Sequence, residues 1–91
     1  MIEKKVKIVN KLGIHARPAT LFTQTANKYE AEIEVEKDGM VVDGKSILGL
    51  LMLVAGKGSE IIIRADGPDE EEALKELIKL VEEGFGEDKD P

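Results

Sequence analysis

The segment Gly13-Ile14-His15-Ala16-Arg17-Pro18-Ala19-Thr20 concentrates the chemistry of this chain, and His15 is its sole histidine. Pro18 suits the opening of a helix: its φ is already helical, and its missing N–H removes a donor that would lack a partner there. Ala16 and Pro18 therefore mark a helix start, with His15 just ahead of it. The first N–H groups of a helix carry partial positive charge. A phosphate on His15 would lie against those donors, and Arg17 can bring a planar guanidinium to the same oxygens. The same positive end disfavours imidazolium, leaving a neutral ring with a lone pair for attack on phosphorus. A phosphoimidazole is a reactive P–N species, suited to relay rather than storage, and this site needs no metal of its own if partners supply the rest of the phosphoryl-transfer machinery. Thr20 has two readings, an ordinary first-turn or interfacial threonine and a hydroxyl that hydrogen-bonds near the phosphate; the ordinary one is preferred. An isolated histidine is more often a plain surface residue; the flanking Gly, Arg and Pro favour the functional reading.

Ser46 is the second candidate. Its hydroxyl suits the cap of the short apolar helix that follows. It also suits phosphorylation, because a phosphate at a helix start is electrostatically tolerated and adds negative charge to the surface. Ile47, Leu48 and Leu51 lie at helical spacing, while Leu50 and Leu53 occupy another face. The second pair is expected in the core, and the first three are expected to form a partner-docking patch beside His15. Residues 39–46 match the phosphate-loop pattern G-x-x-x-x-G-K-[ST] letter for letter. Two features oppose a nucleotide site. Met40-Val41-Val42 favours a strand rather than a loop of exposed N–H groups, and the chain is too short for a parallel α/β core.

These residues need elements to position them. Val6 and Ile8 alternate with Lys5 and Lys7 as a first strand. Ala19, Phe22 and Ala26 follow at helical spacing. Residues 32–36 alternate strictly, with Glu32, Glu34 and Glu36 on a wet face. Asp38-Gly39 is a hairpin signal, and Met40 to Val42 is the return strand. Residues 47–53 form the short helix, and residues 60–65 a β-branched strand. Asp69 with Glu72 resembles a capping box, and Leu74, Leu77, Ile78 and Val81 form the stripe of a last helix ending at Gly84. The order β-α-β-β-α-β-α implies an α+β fold in two layers, with helices on one face of a mainly antiparallel sheet. From Phe85 onward the acidic remainder is expected to fray.

Composition narrows the classes. With 91 residues the chain fits one domain, and with no Cys it has neither disulfides nor thiolate chemistry. One histidine excludes a multi-His metal site, and no apolar run approaches the ~20 residues that span a bilayer. No signal-peptide pattern opens the sequence, so a soluble, cytoplasmic protein is expected. The Lys/Glu-rich makeup leans towards a thermophile. The net charge of −6 disfavours nucleic acid. Residues 1–29 nevertheless carry six bases and one acid, against seven bases and eighteen acids in the rest. That division allows a basic face around His15 for an acidic protein partner.

GIHARPAT, then GKSILGLLML, then GPDEEEAL, resemble the HPr family, the histidine-containing phosphocarriers of the bacterial phosphoenolpyruvate-dependent sugar phosphotransferase system. The resemblance runs from about Val6 to Glu87. It implies an open-faced β-sandwich of four antiparallel strands and three helices, forming a single domain over residues 1–91 with an acidic tail from about residue 86. It implies that His15 is phosphorylated on Nδ1 by phospho-enzyme I and passes the group to IIA domains of sugar permeases, with Arg17 stabilising the phosphate. Thr20, Ile47, Leu48 and Leu51 would meet these partners, without a cofactor, by a monomeric carrier that is not an independent enzyme. Gln24-Thr25-Ala26 and Ser46-Ile47 look like low-GC Gram-positive members. There a matching Ser is phosphorylated by HPr kinase/phosphorylase and the product serves the catabolite control protein. The rival within the family is a purely regulatory corepressor, a type that lacks the His.

Overall fold

The computed structural model describes residues 1–87. The elements run β1 (Ile2–Lys7), α1 (Ala16–Ala26), β2 (Glu32–Lys37), β3 (Met40–Asp43), α2 (Ile47–Met52), β4 (Glu60–Asp66) and α3 (Glu70–Glu82), then a 3-10 turn at Gly84–Gly86. This is the order that the periodicities imply. The sheet is antiparallel throughout, in the order β1-β4-β2-β3, so the last strand in sequence lies inside it.

Alternation decides the faces. Val6, Ile33, Val35, Ile61, Ile63 and Ala65 turn inward to meet Phe22 of α1, Leu50 of α2, and Leu77 and Val81 of α3, all buried. The opposite face is charged: Arg64 bridges Glu3 at 2.7 Å and Glu36 at 2.6 Å. The hairpin between β2 and β3 has Asp38 at φ 51° and Gly39 at φ 85°, the two left-handed residues of a type I′ turn.

Helix α1 starts at Ala16 with His15 as its N-cap, and Pro18 stands in its first turn, where no intrahelical N–H bond is needed. Two local expectations are corrected. Asp69 makes no capping bond to α3. Its carboxylate instead accepts from the N–H groups of Glu30 and Ala31, both at 2.9 Å, tying the α3 start to the α1–β2 connection. The chain after Gly84 does not fray up to Glu87, because Phe85 is buried in the core as a large apolar side chain that water would otherwise face. Of the acidic tail, Asp88, Lys89, Asp90 and Pro91 lie outside the described residues.

Candidate functional site

The loop from Asn10 to Ile14 carries His15. Gly13 adopts φ +66°, and a Cβ there would come within 2.2 Å of the Ala55 carbonyl oxygen. That close approach lets Ile14 N–H donate to Ala55 O at 2.9 Å. The Gly13 carbonyl accepts from His15 N–H at 3.0 Å and from Asn10 Nδ2 at 2.8 Å. Loop and α1 are thus fixed to each other around His15, the N-cap residue of α1. The His15 carbonyl takes the first helical bond, from Ala19. Among the described residues the N–H groups of Ala16 and Arg17 have no backbone partner, and Pro18 has no N–H. Two amide donors are therefore available to an anion beside His15.

The imidazole is accessible, with 36% of its side-chain surface exposed. It makes no capping bond to α1. Both Glu87 carboxylate oxygens instead lie 3.0 Å from His15 Nε2. Asn10 Nδ2 donates to Glu87 Oε1 at 2.9 Å, and Arg17 Nη1 stands 3.6 Å from Glu87 Oε2. The bond from His15 holds the Glu87 carboxyl below the usual carboxylate range; burial opposes this, and the Asn10 bond adds to the lowering. The surroundings of His15 thus hold an acid, Glu87, as well as the basic Arg17. Sequence reasoning missed both Asn10 and Glu87. Asn10 read as a turn residue, although it is buried, with Oδ1 lacking a partner. Glu87 read as one acid among several.

The remaining candidates divide. Arg17 is exposed beside the ring. Thr20 spends its hydroxyl on the Ala16 carbonyl at 2.9 Å, one turn back in the same helix, which fits the ordinary first-turn reading. Ser46 Oγ accepts from Gly49 N–H at 3.0 Å and caps α2. Ile47 and Leu48 are exposed, but Leu51 is half-buried against the core, so the patch is narrower on that side than the spacing implied. Leu12, Met52 and Val54 are exposed as well, and spacing alone did not single them out. Residues 39–46 do not form a phosphate loop. Residues 40–43 are strand β3, Gly44 packs against Ile33, and Lys45 Nζ donates to the Tyr29 carbonyl at 2.7 Å. Among the described residues no acidic, His or Cys cluster could hold a metal ion, and no helix is long and apolar enough to cross a membrane.

An accessible histidine at a helix start, two amides without a backbone partner among the described residues and a nearby arginine together offer an anion a nucleophile and donors. The family model described as "PTS HPr component phosphorylation site" matches residues 2–83. The chain belongs to the HPr family. It is 47% identical over 87 residues to the phosphocarrier protein HPr of Neisseria meningitidis, covering 96% of this chain and 98% of that one. It is 49% identical over 82 residues to the HPr-like protein Crh of Halalkalibacterium halodurans, covering 90% and 98%. The crystal structure of HPr-C-His from Thermoanaerobacter tengcongensis superimposes with a TM-score of 0.93 at 48% identity, covering 98% of this chain and all of that one. An HPr dimer from the same organism matches with a TM-score of 0.77 at 49% identity, covering 96% and 100%. The HPr fold and phosphocarrier activity are thus those that the sequence motifs imply.

Proposed function

We propose that His15 is the residue of this phosphocarrier that takes the phosphoryl group from phospho-enzyme I and hands it to IIA domains of sugar permeases. The observation that carries the assignment is the accessible His15 ring at the start of α1, where the Ala16 and Arg17 amides have no backbone partner among the described residues. Arg17 turns its guanidinium to the phosphate oxygens as the charge arrives. Exposed Ile47 and Leu48, on the helix next to α1, give the partners an apolar surface. The same reading takes residues 1–91 as one domain that works as a monomer in the cytoplasm, which sedimentation and cell fractionation test.

Incubation with phosphoenolpyruvate and enzyme I is expected to give an acid-labile, base-stable phosphoprotein, abolished in His15→Ala. Label retained in that variant refutes the assignment. A regulatory role for Ser46 is a second reading, favoured by its place at the α2 cap beside exposed Ile47. Phosphate there puts charge next to the apolar patch and weakens docking of an acidic partner. HPr kinase/phosphorylase with ATP would then give an acid-stable product that Ser46→Ala lacks, for recognition by a catabolite control protein. No such product from the kinase removes this reading.

A further inference from the structure

A carboxylate only accepts hydrogen bonds, so its contact with His15 Nε2 requires a proton on that nitrogen. A ring with one proton then has its lone pair on Nδ1. We infer that Glu87 is the positioning residue of the phosphoacceptor: its carboxylate, steadied by Asn10, holds the Nε2–H tautomer of His15 and leaves Nδ1 as the nucleophile. This rests on the phosphocarrier reading and deepens it.

Two features make the contact more than a drifting chain end. Phe85, two residues before Glu87, is buried and takes left-handed backbone at φ 56°, so the bend that aims Glu87 at His15 is pinned in the core. Asn10 Nδ2 bonds both the Gly13 carbonyl and Glu87 Oε1, joining the loop that carries the ring to the carboxylate that orients it. The Glu87 side chain is only 14% exposed. Arg17 is held more loosely, at 3.6 Å from Glu87 and 64% exposed, so it can turn to a phosphate while Glu87 stays on Nε2.

In the transfer, the Nδ1 lone pair forms the N–P bond while the donor's bond to phosphorus breaks, its electron pair returning to the donor atom. Nε2 keeps its proton, so the phosphorylated ring is cationic, and Glu87 faces that charge. On delivery the N–P bond breaks, its pair returns to Nδ1, and the ring is neutral again in the same tautomer.

The test compares the full chain with Glu87→Ala and Glu87→Gln, by phosphoryl uptake from phosphoenolpyruvate and enzyme I and by nitrogen NMR of the labelled, neutral imidazole. The expected result is a Glu87→Ala rate lower by about tenfold, the equivalent of one charge-assisted hydrogen bond. Its nitrogen shifts should move towards a mixture of tautomers. Glu87→Gln, which keeps an oxygen acceptor, should restore the Nε2–H pattern and part of the rate. An unchanged rate, a faster one (the carboxylate then obstructs the donor), or a slower one with unchanged nitrogen shifts overturns the inference. Absence of label at His15 in the parent chain defeats the phosphocarrier reading instead, and the nitrogen shifts still decide whether Glu87 sets the tautomer.

Discussion

Substitution of Gly13 by Ala tests how the site is held, with Gly39→Ala as its control. Both glycines have positive φ, +66° and +85°. Either substitution therefore forces an L side chain into left-handed backbone, at about 1–2 kcal/mol. At Gly39 nothing lies within 4 Å of the new Cβ, so strain is the whole cost. At Gly13 the Cβ meets Ala55 O at 2.2 Å and Gly56 Cα at 2.7 Å, far inside the 3.4 Å at which ordinary contact begins. Both neighbours are backbone, so the two segments must part. Overpacking of this kind costs about 1–3 kcal/mol, and loss of the Ile14–Ala55 hydrogen bond adds about 1 kcal/mol. The expected loss is therefore ~4 kcal/mol for Gly13→Ala against ~1.5 kcal/mol for Gly39→Ala. A domain of this size is stable by only about 5–14 kcal/mol, so urea unfolding followed by circular dichroism resolves the difference easily. Equal losses in the two variants refute the claim that close approach to Ala55 fixes the His15 loop. A loss at Gly13 without slower phosphoryl uptake refutes its importance for the site.

Val54 is an exposed β-branched residue at φ 50°, and Val54→Gly is expected to stabilise the fold by about 1 kcal/mol in urea unfolding, since the relieved strain exceeds the added chain entropy; a lower midpoint contradicts this. Ser46→Ala removes the acceptor for Gly49 N–H and is expected to cost about 1 kcal/mol in the same assay, whereas an unchanged midpoint means that the cap contributes nothing. Tyr29 donates to Glu76, and that hydrogen bond, before burial and nearby acids, pushes its pKa up to about 12. Because the unfolded phenol loses its proton first, this contribution to stability is complete below about pH 10 and is lost as pH rises through about 12. The chain has one Tyr and no Trp, so ultraviolet titration of tyrosinate reads it directly, and Glu76→Gln should lower the midpoint.

What was legible in the sequence was local. Strict alternation gave β2, the Asp38-Gly39 pair gave the hairpin, and Ser46 before an apolar run gave the α2 cap, because each depends on residues within a few positions of one another. The misread features depend on remote partners. Asp69 had the spacing of a capping box but bonds backbone 38 and 39 positions earlier. Glu87 meets His15 across 72 positions and Asn10 across 77, and no periodicity reports such a pair. Phe85 did carry a signal, as a lone aromatic between glycines in an acidic stretch, and core burial is the ordinary fate of that side chain. Thr20 was open between a bond near the phosphate and an ordinary first-turn place, because a helical Thr hydroxyl competes for the carbonyl one turn back, and it takes that carbonyl here.

The position of β4 between β1 and β2 has a consequence for biosynthesis. Until residues 60–66 have left the ribosome, β1 has no neighbour to pair with, and the nascent chain holds His15 on a loop without a finished scaffold. Glu87 emerges later still. A ribosome-bound intermediate can thus expose the imidazole before β4 completes the sheet beneath it and before the Glu87 carboxylate can reach its ring.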